Sequence, residues 1–182
     1  MIKEEWLETK GESVLRDIGI KEGLKILDFG SGSGVYTIIS SKIVGLEGEV
    51  YALDNDEASL KELSNELEAS EIKNVKIIKG SEQVAIPFEK EYFDFFLLYD
   101  VFHLLDNKNR DTVLREAYRV FERERILSYH ATHIGSYDTD LEKVQEQIKT
   151  HGFRLKEEFR RPMFHWRWIA EGLVFNYEKQ IV

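Results

Sequence analysis

The chain has 182 residues, 42% of them hydrophobic and 12% aromatic, with a formal charge of −9 and no cysteine. That length suits one domain, residues 1–182, built on one substantial core. The missing thiols exclude disulfides, thiolate zinc sites and a cysteine nucleophile together, and an acidic chain is a poor match for the phosphates of a nucleic acid.

Trp6, Leu7, Val14, Leu15 and Ile18 predict one or two short helices over residues 1–20, interrupted near Gly11. The charged start Lys3-Glu4-Glu5 does not read as a signal peptide. A first strand follows at about 25–29 and a helix at about 35–44. The second strand runs from Val50 to Leu53, and Asp56 is positioned to cap a helix reaching Ala69, with Leu60, Leu63 and Leu67 on its apolar face. The third strand is Val75 to Lys79. The fourth, Phe93 to Tyr99, is apolar throughout, as a strand covered on both faces should be. A helix from Asn109 to Phe121 leads to a fifth strand, Ile126 to His130, and another helix spans Asp138 to Thr150. Phe153–Phe159 and Gly172–Glu178 read as two closing strands with an aromatic connection. Strands alternating with helices, then a strand pair, predict a doubly wound, Rossmann-like α/β sheet of about seven strands. No apolar run approaches the ~20 residues of a membrane span, and a cytoplasmic location is expected.

Ile26-Leu27-Asp28-Phe29-Gly30-Ser31-Gly32-Ser33-Gly34 carries the most chemical information. A short strand ends at Asp28, three alternate glycines turn the chain, and a helix opens near Val35. Such a loop presents bare N–H groups to a ligand at a helix N-terminus. Asp54, twenty residues past the last glycine, ends the second strand, where a carboxylate can accept two hydrogen bonds from a ribose. An adenosine-containing ligand is implied. Dinucleotide dehydrogenases favour G-x-G-x-x-G, and here the third glycine comes one residue early, so a nicotinamide-dependent oxidoreductase is the weaker reading.

An acid followed by G-x-G-x-G resembles the first motif of class I S-adenosylmethionine-dependent methyltransferases, and other segments agree. Residues 18–28, Ile-Gly-Ile-Lys-Glu-Gly-Leu-Lys-Ile-Leu-Asp, are similar to the family's lead-in, with Glu22 where proline is usual. Val50-Tyr51-Ala52-Leu53-Asp54 is similar to its second motif. Ile86-Pro87-Phe88 through Phe93-Asp94, and then Tyr99-Asp100-Val101-Phe102-His103-Leu104, resemble the fourth strand and its loop in the small-molecule, ubiquinone/menaquinone-methyltransferase-like group. The resemblance implies S-adenosylmethionine as cofactor, a small-molecule methyl acceptor and a terminal strand inserted antiparallel. It departs in two places. Ser81 stands where many relatives carry an adenine-binding aspartate, and Phe121-Glu122-Arg123-Glu124-Arg125 replaces a Gly/Pro turn before the fifth strand.

The expected cofactor-binding set is therefore Asp28, Gly30, Ser31, Gly32, Gly34, Asp54, Asn55, Ser81 and Asp100. Asp28 would orient the loop; Asp54 would hold the ribose or else cap the next helix. Asp100 lies at the carboxyl end of the fourth strand, where open α/β sheets take their ligands. His103, one turn beyond, and His133, after the fifth strand, are the candidate general bases, each with a structural reading beside it that weighs more for His133. His130 faces a helix layer by strand alternation. No spacing argues for a metal, with His130 and His133 too isolated to claim one. Arg160 to Trp168 is either a substrate wall or a packed strand connection or dimer surface. A catalytically silent S-adenosylmethionine-binding scaffold or partner subunit is the rival of another class. Oligomeric state and the acceptor's identity are not written in the sequence.

Overall fold

The computed structural model describes residues 2–81, 84–137 and 139–180. The elements in chain order are α1 (Ile2–Thr9), α2 (Gly11–Ile18), β1 (Lys25–Phe29), α3 (Val35–Val44), β2 (Glu49–Asp54), α4 (Glu57–Ala69), β3 (Val75–Lys79) and β4 (Phe93–Tyr99). After a 3₁₀ turn at Phe102–Leu104 come α5 (Asn107–Val120), β5 (Phe121–Ala131), α6 (Leu141–Thr150), β6 (Phe153–His165) and β7 (Trp168–Lys179). One seven-stranded sheet has the order β3-β2-β1-β4-β5-β7-β6. The β1–β2, β1–β4, β2–β3 and β4–β5 pairs are parallel. β7 is inserted antiparallel between β5 and β6, as the resemblance implied.

Strand alternation sends successive side chains to opposite faces of the sheet. On β4, Phe95, Leu97 and Tyr99 join Trp6, Leu15, Ile18, Tyr36 and Ile39 of α1–α3. Phe96 and Leu98 join Val113, Leu114 and Ala117 of α5 and Val144 and Ile148 of α6. A smaller cluster of Ile38, Ala52, Leu63 and Leu67 seats α4. The exposed edges carry charge, with Lys76 and Lys79 on β3 and Arg154, Lys156, Glu157 and Glu158 on β6, a composition that discourages edge-to-edge pairing.

Several boundaries move, among them the start of β7, at Trp168 where Gly172 was expected, and the start of α5, at Asn107 where Asn109 was expected; three shifts have local reasons. α5 ends at Val120, and Phe121 opens β5, paired with Phe93, so β5 begins five residues before the expected Ile126. No Gly/Pro turn is needed, because the preceding loop satisfies the helix end: Glu91 and Tyr92 N–H groups donate to the Arg119 and Val120 carbonyls at 3.1 and 2.7 Å. The Arg119 guanidinium donates in turn to the carbonyls of Ile86 and Phe88 at 2.9 and 2.6 Å. α6 starts at Leu141 because Asp140 caps it, accepting from the Lys143 N–H at 3.0 Å; the expected start, Asp138, lies outside the described residues. β6 continues past Phe159 to His165 even though it contains Pro162, which an edge strand tolerates since its missing donor would face solvent. The aromatic connection thus shrinks to Trp166 and Arg167, between the two strands of a long hairpin.

Candidate active site

The carboxyl ends of β1, β2, β3 and β4 open onto a cleft of about 540 Å³, lined by Gly30, Gly32, Asp54, Asn55, Ser81 and Asp100 among others. The loop after β1 is clamped to the end of β2: the N–H groups of Gly30 and Ser31 donate to the Leu53 carbonyl at 2.8 and 3.2 Å. Gly34 then turns with φ +82°, and a Cβ there would collide with Leu63 of α4. Gly32 differs. At φ +53° its missing side chain leaves open space toward the cleft, but the N–H groups expected to face a ligand are engaged within the protein, those of Gly30 and Ser31 with the Leu53 carbonyl, of Gly32 with Asp54 and of Gly34 with the Ser31 carbonyl.

Asp54 joins the two halves of this wall. Its Oδ2 accepts from the Gly32 N–H at 2.7 Å, and its Oδ1 from the Asp56 N–H at 2.8 Å. The helix cap belongs to Asp56, which accepts from the Ser59 N–H at 2.9 Å, so capping does not account for Asp54. A carboxylate holds about four lone-pair positions, and two stay available for ribose hydroxyls. Those acceptor positions fit the ribose of an adenosyl ligand. Asn55 and Ser81 are exposed on the same rim.

Three of the expected cofactor residues do not line the cleft. Asp28 is 2% exposed and accepts from the Thr37 hydroxyl at 2.6 Å, tying β1 to α3 behind the loop. Burial is the main cause that raises its carboxyl pKa to about 7, with the nearby Asp54 charge adding to it. Gly34 packs on Leu63. The Ser31 hydroxyl is buried with no partner among the described residues.

Behind Asp100 the histidines converge, and neither candidate base, His103 or His133, is among the residues that line the cleft. Asp100 sits at φ +59°, and its Oδ2 bonds His165 Nδ1 at 2.8 Å. His103 and His133 are ring to ring at 4.1 Å between centroids, and His133 lies 5.1 Å from His165. His103 is buried, its Nδ1 3.3 Å from the Thr132 hydroxyl. Burial first, then the neighbouring His133, lowers its pKa to about 4, so its imidazole is neutral at pH 7. Tyr137, Trp166 and Trp168 flank the group and are about half exposed. His130 lies apart from these rings in the α1–α3 layer, edge-on to Tyr99 at 5.8 Å, and burial lowers its pKa to about 4.

His165 is the residue that sequence reasoning passed over. Pro162 and the paired arginines interrupt the alternation of β6, hiding the three residues that carry His165 back to the sheet's carboxyl edge. The apolar pair Met163-Phe164 directly before His165, both buried, was the available signal.

The family model described as "Methyltransferase domain" matches residues 26–124, more than half of the chain. A demethylmenaquinone methyltransferase of Staphylococcus aureus (strain MRSA252) is 42% identical over 82 residues, 45% of this chain and 33% of the relative. A demethylmenaquinone methyltransferase of Geobacillus stearothermophilus is 35% identical over 109 residues, 60% and 45% of the two chains. This chain therefore spans less than half the length of these curated relatives. A crystal structure of a SAM dependent methyltransferase from Aquifex aeolicus superposes with a TM-score of 0.78 at 25% identity, covering 95% of this chain and 91% of the other.

Proposed function

The chain belongs to the methyltransferase-domain family, and from that premise we propose that it transfers the methyl group of S-adenosylmethionine to a small-molecule acceptor. The observation that carries this reading is the Gly32–Asp54 hydrogen bond at the head of the cleft, which holds a carboxylate with spare acceptor positions beside a glycine that leaves room for a ligand. The cofactor supplies a methyl group already activated by its sulfonium, so the protein's work is alignment and exclusion of water. Asp54 accepts from the ribose hydroxyls, Ser81 and Asn55 meet the adenine side, and Gly30 and Gly32 leave room for close approach. Asp28, Ser31 and Gly34 hold the loop from behind. Asp100 stands at the methyl end, where the acceptor enters from the side of His103 and Trp166.

His103 is the first candidate to take a proton when the acceptor must lose one, and His133 is the second. The acidic chain supports a small acceptor in preference to nucleic acid. Among the described residues no helix is long and apolar enough to cross a membrane, and a cytoplasmic setting belongs to the same proposal.

Incubation with isotopically labelled S-adenosylmethionine and a metabolite extract should yield a labelled product. Donor binding without any transfer would overturn the reading in favour of a binding-only scaffold. Two variants resolve the roles. Asp54→Ala should weaken S-adenosylhomocysteine binding in calorimetry by about tenfold or more, as expected for losing charge-assisted hydrogen bonds worth ~1.5–3 kcal/mol each; unchanged affinity would contradict the ribose assignment. His103→Ala should lower turnover by ~10²-fold or more while leaving donor affinity nearly intact, and an equal loss of both would refute the base role.

A further inference from the structure

We propose that Asp100, His133 and His165 form a binding site for one divalent transition-metal ion of the Zn²⁺/Co²⁺ class, open toward the cleft. These residues are 33 and 32 positions apart in sequence, and the fold brings one donor atom from each within 4.8 Å of the others. They come from three different places: the end of β4, the loop after β5 and the end of β6. Imidazole and carboxylate are the donors that zinc and its neighbours in the first transition row prefer. With metal–ligand bonds near 2.1 Å, donors sit about 3.4 Å apart around a tetrahedral ion. Side-chain rotations that close the widest spacing from as much as 4.8 Å to about that value reach the geometry.

Two unpartnered atoms point to a ligand. Oδ1 of Asp100 and Nε2 of His133 are buried with no hydrogen-bond partner among the described residues. Orphaned buried polar atoms are rare and cost about 1–3 kcal/mol each, and two in one cluster of ligating side chains call for a shared partner.

Three protein donors leave the ion an open position, as at catalytic rather than structural sites. Because Asp100 also lines the cleft, that position faces a bound molecule carrying an oxygen or nitrogen donor. Only this orientation toward an acceptor rests on the methyl-transfer reading; the ion site itself does not. Assigning His133 to the ion leaves His103 as the base.

Trp166 is the natural reporter, stacked on His165 at 5.6 Å and 5.5 Å from His133. Chelator-treated protein titrated with Co²⁺ should lose tryptophan emission in a saturable step ending at one equivalent. His133→Asn, His165→Asn and Asp100→Asn should each weaken the step at least tenfold. His151→Ala, which removes a histidine bonded to the Gln147 carbonyl on α6, should leave it unchanged. No saturable step, or equal affinity in all variants, overturns the site. Co²⁺-soaked crystals of the unaltered protein give the same answer without substitution: an anomalous peak among the three side chains sustains it, and peaks elsewhere alone overturn it. Calorimetry with S-adenosylhomocysteine on the same protein separates the two readings. Ion binding without adenosyl binding would keep the metal site and sink methyl transfer, and the reverse would sink the metal site alone.

Discussion

Asp28 is the residue where sequence motif and physical cost meet most directly. Its carboxyl is buried against α3, where Thr37 supports it through its hydroxyl and its backbone, and burial outweighs that support and holds its pKa at about 7 against an ordinary 3.8. The sign follows from linkage. Below pH ~4 folded and unfolded chains both carry the proton, and the contribution to stability is fully present. As pH rises toward 7 the unfolded chain gives up its proton while the folded chain keeps it, and stability falls through that window by a few kcal/mol. Asp28→Asn mimics the protonated form and cannot titrate. Urea unfolding at intervals from pH 4 to pH 8 should show the variant gaining on the native protein as pH rises; parallel curves would mean that Asp28 is solvated.

Among the elements, the junction of α5 and β5 shows how a turn can be replaced by a loop arriving from elsewhere. Arg119 holds that loop by donating to two carbonyls and pairing with Glu116 at 2.7 Å, and Glu116 in turn accepts from the Ile86 N–H at 3.3 Å. Arg119→Ala should cost about 2 kcal/mol, the scale of losing charge-assisted hydrogen bonds to partly buried carbonyls. A melting temperature lowered by less than a degree would show that the loop holds itself. None of this is readable from local sequence, because the partners lie about thirty residues upstream. The parallel core was legible for the reverse reason: its strands are short apolar runs, each bounded by glycine or a capping aspartate such as Asp56. The cofactor wall shared that legibility, since Gly32 and Asp54 sit at fixed offsets from strand ends. The histidine cluster was only half legible, as His103 and His133 follow strands that were recognised while His165 follows one cut short at Pro162.

Across the whole molecule, the first helix and the last hairpin are one structural unit despite lying at opposite ends of the sequence. Trp6 is fully buried, meets Tyr36 edge-on at 5.5 Å, and donates through its indole N–H to the Pro162 carbonyl at 3.0 Å. The Tyr36 hydroxyl donates to the Phe164 carbonyl, next to His165. Asn176 of β7 donates to the Ile18 carbonyl that ends α2. The N-terminal cover thus sets the height at which β6 delivers His165 to the cleft, so its loss should reach both stability and site. Trp6→Ala should cost about 3–5 kcal/mol, as for other buried large-to-small changes. If residues 1–182 fold as a single domain, the native protein should unfold in one step, with circular dichroism and tryptophan emission superimposed. In Trp6→Ala that common midpoint should fall without splitting. Two separated transitions, with the first confined to α1 and α2, would make the cover an independent appendage and remove its hold on β6.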